Sequence, residues 1–199
     1  MPTEIDLAAY DYALARERIA QHPPPDRDGA RLLVLERATG EQHHDAIRAL
    51  PRWLRAGDLL VRNATRVLPA RLRGRKQTGG AAEALLLGAA SGGEGRYRAL
   101  VRARGRLRAG QKFRFGAGDE PCDAELVTLG EGGEVVLAFA PDSDPYASGE
   151  TPLPPYIRRD APLQEDAARY QTVFARIPGS VAAPTAGLHL SERLLEALA

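Results

Sequence analysis

The sequence predicts an α/β fold that is interrupted by a small antiparallel β-barrel. Apolar strands alternate with a helical pattern near the N-terminus, which is typical of α/β domains. After Pro69 short apolar runs separated by glycine replace the helical pattern, and helix-forming sequence returns only near the C-terminus. We therefore expect residues 1–68 and 152–199 to form one α/β domain and residues 69–151 to form the inserted barrel.

The first α/β segment contains two predicted strands and one predicted helix. "ARLLVLER" (30–37) predicts a buried strand, and "ATGE" predicts a hairpin-like turn after it. "DAIRALPRWL" (45–54) has helical periodicity, which Pro51 cuts short. "DLLVRN" (58–63) predicts a second apolar strand.

The middle of the chain contains six short apolar runs, which predict five or six antiparallel strands. Arginines alternate with apolar residues in the third run, so several guanidinium groups should lie on one exposed face. Strands of this length and spacing favour a small barrel or sandwich. The runs are "ARLRGR", "AEALLLGAA", "RYRALVRA", "QKFRFGAG", "DAELVTLG" and "EVVLAFA".

The C-terminal part returns to helix-forming sequence after the proline-rich "TPLPPYIRRD". "PLQEDAARYQTVFARI" (162–177) predicts a helical segment, and "SERLLEALA" (191–199) predicts a last helix with Ser191 as its N-cap. Leu194, Leu195 and Leu198 would form the apolar stripe of that helix.

Composition points to a globular protein of a reducing compartment. The 199 residues can bury a core without cross-links, and Cys122 is the single cysteine. No Cys/His spacing resembles a zinc site, so no metal is expected, and the adjacent His43 and His44 suit an exposed turn. The N-terminal segment lacks the uninterrupted apolar run of a signal peptide or membrane span. We therefore expect a cytoplasmic protein without membrane contact.

Positive charge is concentrated in two segments, although the formal net charge is only +1. Residues 62–76 hold six basic residues and no acid, and residues 95–117 hold eight basic residues and no acid. Such segments suit a surface that binds a polyanion, since phosphate contacts depend on local charge. The alternative is a solvated strand face.

Two polar clusters are candidates for a binding site. Asn63, Thr65 and Arg66 follow a predicted strand, where α/β domains commonly present ligand-binding side chains, and the alternative is an ordinary turn. The second cluster lies in "RYQTVFARIPGSVAAPTAGLH", where Gly187 permits a left-handed or close-approach conformation. Its histidine, His189, follows Thr185 by one turn, and the alternative is a structural histidine.

Five stretches match the sequence pattern of one family. They are "IAQHP" with "RDGARLLVLERATG", "GDLLVRNATRVLPARLRGRK", "GRLRAGQKFRFG", "PLPPYIRR" and "RYQTVFARIPGSVAAPTAGLHLSERLL". They follow the family's order over essentially the whole chain, and the last stretch is highly specific. On these stretches the chain resembles the S-adenosylmethionine:tRNA ribosyltransferase-isomerase family of queuosine biosynthesis.

The resemblance implies an activity and a fold. The ribosyl part of S-adenosylmethionine, the donor substrate, would move to the aminomethyl group of 7-aminomethyl-7-deazaguanine at the wobble position of tRNA, the partner. Rearrangement would give epoxyqueuosine and release adenine and methionine. The implied fold is a distorted, barrel-like α/β large domain with a small inserted β-barrel.

The resemblance also implies roles for the candidate residues. His189 would act as general base or acid, and Thr185 and Arg66 complete the expected catalytic set. The nucleoside and its sulfonium would be bound by Asn63, Thr65, Tyr156, Tyr170, Gln171 and Gly187. The phosphates of the anticodon stem-loop would be bound by Arg71, Arg73, Arg102, Arg104 and Arg106.

Two departures from the family pattern bear on activity. Ala64 stands where the family has an aspartate that could orient substrate or accept a proton. The chain also stops where the family pattern is about three fifths complete. We therefore expect an incomplete large domain, apolar surface exposed on "LLEAL", and self-association or a second chain that completes the fold.

Two alternative functions remain at this point. The first is a non-catalytic fragment that binds tRNA through the inserted barrel. The second is an S-adenosylmethionine-dependent methyltransferase, which is disfavoured because "ASGGEG" lacks the spacing of a dinucleotide fingerprint and no following helix is predicted.

Overall fold

The computed structural model describes residues 6–116 and 121–199, which form ten strands, two short α-helices and several 3₁₀ turns. None of the described helices has the length and apolar character needed to cross a membrane. The strands are β1 (Arg31–Leu35), β2 (Gln42–Ala46), β3 (Thr65–Val67), β4 (Arg71–Lys76), β5 (Ala81–Ala89), β6 (Arg96–Ala103), β7 (Lys112–Phe115), β8 (Cys122–Leu129), β9 (Glu134–Phe139) and β10 (Ile177–Ser180). The helices are α1 (Gln164–Arg169) and α2 (Glu192–Ala197).

The first predicted strand forms one arm of an antiparallel hairpin, in which β1 pairs with β2. Gly40 completes the connecting turn with a φ of 75°, a conformation that favours glycine. The strand and turn are confirmed, but the predicted burial of the strand is wrong. Leu33 and Leu35 are more than half exposed, because a two-stranded hairpin leaves one face uncovered unless another layer packs on it. The exposed turn predicted for His43 and His44 is also wrong, because both lie in β2.

The next two predictions need correction. Residues 45–54 form a 3₁₀ turn over Ile47–Arg52 that contains Pro51, because proline cannot donate a helical hydrogen bond. Residues 58–63 form no strand, since none of the described strands pairs with them. Leu59 and Val61 are 87% and 82% exposed, so the apolar character of this segment does not reflect burial within the described structure.

Strands β4 to β9 close into an antiparallel barrel with the order β4-β5-β6-β9-β8-β7. The six apolar runs of the sequence correspond to these six strands, and the α/β fold with an inserted antiparallel barrel is confirmed. Alternate residues of each strand point inward, as the two-residue period of a strand requires. The interior is filled by Leu72, Leu86, Phe113, Phe115, Leu126 and Leu137.

Gly74 allows β4 and β7 to approach closely. A Cβ atom at this position would lie 2.1 Å from the carbonyl oxygen of Arg114 and 2.7 Å from Cα of Phe115. Because backbone atoms cannot move aside as a flexible side chain can, only glycine fits here.

The two connections of the barrel meet at one point. Glu150 N–H donates to the carbonyl of Arg71 at 2.8 Å, and Arg71 N–H donates to the carbonyl of Glu150 at 3.2 Å. This isolated antiparallel bridge joins the first residue of β4 to the segment that leaves the barrel. The domain boundaries at residues 69 and 151 stay a prediction.

A short parallel sheet joins the segments on either side of the barrel, since β10 pairs in parallel with β3. The carbonyl of Ala64 accepts hydrogen bonds from the N–H groups of Arg176 and Ile177, both at 2.9 Å. This pairing also explains why α1 is shorter than the predicted helix over 162–177. Residues after Tyr170 leave the helix to reach β3, so tertiary pairing overrides local propensity.

The last helix, α2, packs inward. Ser191 Oγ accepts from the N–H of Leu194 at 3.2 Å, which confirms the N-cap. Leu194 is only 3% exposed and packs with Phe174 and Leu190. The expectation that "LLEAL" exposes apolar surface is therefore wrong for Leu194, whereas residues 59–61 and the N-terminal residues 7–14 do expose apolar side chains.

Candidate functional site

A cleft of about 290 Å³ lies between the N-terminal segment, the proline-rich segment and the turn that precedes α2. Its volume is near the lower end of small-molecule sites. Four residues that the sequence analysis selected line it, although they come from three separate stretches of chain. They are Tyr156, Tyr170, Thr185 and His189.

Thr185 and His189 begin and end one 3₁₀ turn, Thr185–His189, which follows Pro184. The turn is closed by a hydrogen bond from Gly187 N–H to the carbonyl of Pro184 at 2.8 Å. Because the turn is short, both of its end residues contribute to the lining of the cleft.

Gly187 adopts the close-approach alternative and not the left-handed one, since its φ is not positive. A Cβ atom here would lie 3.0 Å from the ring of Phe174 and 3.1 Å from the methyl group of Thr172. Gly187 is not part of the cleft lining, so the structure gives it a role in packing the turn against these two residues.

Tyr170 forms part of the inner wall and Tyr156 lies nearer solvent. Tyr170 is buried, and burial raises the pKa of its phenol, opposed in part by a hydrogen bond with the backbone of Ala183. Tyr156 is about half exposed. Two aromatic side chains at different depths could contact different parts of one ligand.

Gln171 holds the backbone of β3. Its Oε1 accepts from the N–H of Val67 at 3.0 Å, and its Nε2 donates to the carbonyl of Val67 at 2.7 Å. Both ends of the amide are thereby used, and Gln171 does not line the cleft. Its role in binding a nucleoside stays a prediction.

The other polar cluster lies near the C-terminal stretch but outside the cleft. Thr65 and Arg66 are in β3 beside β10, and Arg66 Nη2 donates to the carbonyl of Ala175 at 3.4 Å. Asn63 is exposed. The two distant regions do meet, but Asn63, Thr65 and Arg66 are absent from the cleft lining, so their roles stay predictions.

Sequence reasoning missed a buried ion pair in the cleft wall. Arg159 donates from Nε and Nη2 to the two carboxylate oxygens of Asp166, at 3.0 and 3.1 Å. Both side chains are less than 10% exposed. Arg159 lies in the quoted stretch "PLPPYIRR", which was the available signal, but its partner could not be identified without the fold.

Arg27 joins two walls of the cleft. Its Nη2 donates to the carbonyl of Ala168 at 2.8 Å at the C-terminal end of α1, and its Nη1 donates to the carbonyl of Leu188 at 3.2 Å in the turn before α2. Burial, and then the charge of Arg169, lower the pKa of Arg27. A cation at a helix C-terminus also complements the helix dipole.

Asp28 anchors the N-terminal segment to α2. It is 1% exposed and accepts hydrogen bonds from Ser191 Oγ at 2.5 Å, from Arg193 Nε at 2.8 Å and from Arg193 Nη2. Hydrogen bonding from Arg193, then from Ser191, holds the pKa of Asp28 far below its usual value. The turn that carries His189 ends two residues before Ser191, so this long-range contact also positions that turn.

The predicted phosphate-binding arginines fall into two groups. Arg71 lies 2.7 Å from Glu83, and Arg73 lies 3.2 Å from Glu150, so carboxylates already balance their charges. Arg102, Arg104 and Arg106 are exposed. Within residues 6–116 and 121–199 there is no group of three or more His, Cys, Asp or Glu side chains that could hold a metal ion.

Comparisons with known proteins give one consistent result. The family model described as "Queuosine biosynthesis protein" matches residues 7–199. An S-adenosylmethionine:tRNA ribosyltransferase-isomerase of Thermotoga petrophila is 43% identical over 194 residues, which are 96% of this chain and 55% of the relative. The protein of that name from Anaeromyxobacter dehalogenans strain 2CP-C is 46% identical over 201 residues, which are 97% of this chain and 56% of the relative.

A solved structure is also similar in sequence. The crystal structure of S-adenosylmethionine tRNA ribosyltransferase from Thermotoga maritima is 30% identical, with a TM-score of 0.35, over 95% of this chain and 53% of that chain. The chain thus spans about half the length of the curated relatives it matches. On the match of the family model to residues 7–199, the chain belongs to the queuosine biosynthesis protein family.

Proposed function

We propose that this chain transfers the ribosyl group of S-adenosylmethionine to 7-aminomethyl-7-deazaguanine in tRNA, with the donor bound in the cleft. The observation that carries the proposal is the joint lining of one cleft by Tyr156, Tyr170, Thr185 and His189. Membership of the family and the names of the relatives support the same reaction class. The proposal includes a cytoplasmic location, where tRNA is modified.

The chemistry requires a base and a way to release adenine. The sulfonium of S-adenosylmethionine acidifies the neighbouring 5′ C–H, so a positioned base can remove that proton. Adenine leaves more readily when its developing negative charge receives a proton or a hydrogen bond. We assign the base or acid to His189 and the orientation of the ribose to Thr185.

The aromatic side chains suit the cationic part of the donor. A sulfonium within reach of a tyrosine ring is attracted by the electron-rich face of that ring. Tyr170 is buried and Tyr156 is half exposed, so we place the adenosyl part against Tyr170 and the more solvated methionine part near Tyr156.

Asp166 is not a candidate for the base. Both of its carboxylate oxygens accept hydrogen bonds from Arg159, and the pair is buried in the wall of the cleft. The pair instead keeps the proline-rich segment attached to α1, since breaking a buried ion pair leaves an uncompensated charge.

The experiment is to incubate the 199-residue chain with S-adenosylmethionine and tRNA that carries the deazaguanine precursor, and to measure adenine release. We expect adenine release in the native chain and its loss in His189→Ala, with S-adenosylmethionine still bound by calorimetry. His44→Ala, an exposed histidine on β2, is the matched control and should retain adenine release. Full turnover in His189→Ala would remove His189 from the mechanism.

A non-catalytic tRNA-binding role is the second candidate. It is favoured by one observation, the exposure of Arg102, Arg104 and Arg106 on the barrel, away from the cleft. Binding of tRNA without adenine release would support this role. Transfer of a methyl group to tRNA would contradict both candidates.

A further inference from the structure

One end of the barrel carries six cations that we call the basic rim: Arg75, Lys76, Arg102, Arg104, Arg106 and Lys112. They lie at the end of β4, at the end of β6, in the loop after β6 and at the start of β7. The strand register brings the end of β4 next to the start of β7, because Lys76 pairs with Phe113, the residue that follows Lys112. Lys76 Nζ also donates to the carbonyl of Arg104 at 2.7 Å, which attaches the loop to β4.

The rim cations lack the carboxylate partner that four other arginines of the barrel have. Arg71 and Arg73 are paired with glutamates, Arg98 lies 3.6 Å from Glu134, and Arg114 lies 3.9 Å from Asp123. In the part of the chain that the structure describes, no carboxylate oxygen lies within 4.0 Å of a rim cation. The rim cations therefore have no close ion-pair partner, although Lys112 lies opposite Glu125 in the strand register.

One register makes this charge more costly for the isolated protein. Arg75 lies directly opposite Arg114, and like charges in directly opposed positions destabilise a sheet. Arg102 lies opposite Glu83, but the carboxylate of Glu83 makes its close ion pair with Arg71. A bound anion would relieve the repulsion between Arg75 and Arg114.

Strand β4, which ends at the rim, also contacts the wall of the cleft. Arg73 Nη2 donates to the carbonyl of Arg159, which lines the cleft, at 3.4 Å. Lys76 follows three residues later in β4, which is about 10 Å along a strand. A nucleic acid with one nucleotide in the cleft could therefore place neighbouring phosphates on the rim.

We infer that the basic rim binds the phosphate backbone of an RNA whose target nucleotide enters the cleft, and that Arg71 and Arg73 make no phosphate contacts. The inference rests on the proposed function for the identity of that RNA as tRNA. Arginine and lysine contacts to phosphates position an RNA without reading its sequence.

The path of the backbone follows from the neighbouring charges. A groove of about 650 Å³ runs beside Arg75, Lys76 and Lys112, and Asp123 and Glu125 line it as well. These two carboxylates repel phosphate, so the backbone crosses the mouth of the groove, over Lys76, Lys112 and the loop that carries Arg104 and Arg106, and does not enter it.

Salt dependence of tRNA binding tests the rim directly. The logarithm of the binding constant falls linearly with the logarithm of the salt concentration, and each lost phosphate contact makes this slope less steep by about 1. The triple variant Arg102→Gln, Arg104→Gln, Arg106→Gln should make the slope less steep by about 2 to 3 for an unmodified tRNA transcript. The control removes three exposed charges elsewhere, at Arg37, Arg52 and Arg55, and should leave the slope unchanged.

Several results would overturn the inference. They are an unchanged slope in the rim variant, an equal loss in the control variant, or no binding of the transcript by the native chain. Equal competition by a polyglutamate peptide of the same charge would assign the rim to acidic partners in general and would also overturn it.

A second measurement uses the two lysines. Lys76 and Lys112 are the only lysines in the sequence, and both belong to the rim. Bound tRNA should reduce the acetylation of both lysines severalfold, measured by mass spectrometry, in the native chain and in the control variant. Acetylation of both lysines that does not change with tRNA would contradict the rim.

The outcomes separate the rim from the proposed function. Steep salt dependence carried by the rim, without adenine release, would support the rim and refute ribosyl transfer by this chain. Adenine release, together with a salt slope that is the same in the rim variant and the native chain, would support ribosyl transfer by this chain and refute the rim.

Discussion

The side-chain amide of Gln171 pairs with the backbone of Val67 as a neighbouring strand would, since it forms hydrogen bonds with both the N–H and the carbonyl of that residue. Val67 is buried, so neither backbone group can turn to water instead. Gln171→Ala should therefore lower the free energy of unfolding by about 2 kcal/mol, as expected when buried polar groups lose their partners. Urea unfolding followed by circular dichroism measures this change.

The control for Gln171 is Gln42→Ala, an exposed residue on β2. It should change the free energy of unfolding by less than about 0.5 kcal/mol. Equal stability of the two variants would show that the amide contacts with Val67 do not hold β3.

Asp28 should make stability depend on acid pH. Its pKa in the folded chain lies well below its value in the unfolded chain, so the ionised form stabilises the fold above about pH 4, and this contribution is lost as pH falls. Asp28→Asn should lower the free energy of unfolding by about 2 kcal/mol at pH 7, since charge-assisted hydrogen bonds are lost. The difference from the native chain should shrink below about pH 4.

Urea midpoints between pH 7 and pH 3 check this prediction. Asp142→Asn, an exposed carboxylate, serves as the control and should follow the native curve. A difference between Asp28→Asn and the native chain that stays constant down to pH 3 would refute the linkage to Asp28.

Gly187→Ala should destabilise the turn that carries Thr185 and His189. The added methyl group would press on the ring of Phe174 and the methyl group of Thr172, at 3.0 and 3.1 Å. Overpacking of this kind costs about 1–3 kcal/mol. Thermal unfolding measures the loss, and Gly29→Ala is the control, because its nearest new contact is an ordinary 3.5 Å. Equal melting temperatures for the two variants would contradict this account of Gly187.

Residues 59–61 should carry a large part of the exposed apolar surface of the chain, beside the exposed side chains of residues 7–14. The double variant Leu59→Ser, Val61→Ser should reduce the binding of a hydrophobic dye without loss of stability, since both side chains are largely in water. Unchanged dye fluorescence in the double variant would locate the apolar surface elsewhere.

Leu194→Ala should lower the free energy of unfolding by about 3 kcal/mol, because it opens a cavity in a packed cluster.

The sequence predicted the barrel well because its signal is local. Inward residues such as Phe113 and Phe115 alternate with outward cations within one strand, and glycines mark the turns. The same reasoning failed at Leu59 and Val61, because apolar character shows that a segment can pair but does not identify its partner. The short α1 was missed for a related reason, since pairing of β10 with β3 decides where that helix ends.

The candidate site was predicted in part. Thr185 and His189 lie one turn apart in the chain, so their proximity could be predicted locally. The contacts of Arg27 with Leu188 and of Asp28 with Arg193 join residues more than 150 positions apart, and nothing local predicts them. Gln171 was expected to bind a ligand because a polar side chain in a dense motif looks the same whether its partner is a nucleoside or a backbone.

The bridge between Arg71 and Glu150 places the entrance and the exit of the barrel within one pair of hydrogen bonds. A chain that omitted everything between these two residues would need almost no extra loop to remain continuous, and β3 and β10 could still meet. The polypeptide thus enters and leaves the barrel at one place, so a barrel loop far from this bridge can change in length without shifting β3 and β10, while Arg73 still attaches the barrel to the cleft wall through the carbonyl of Arg159.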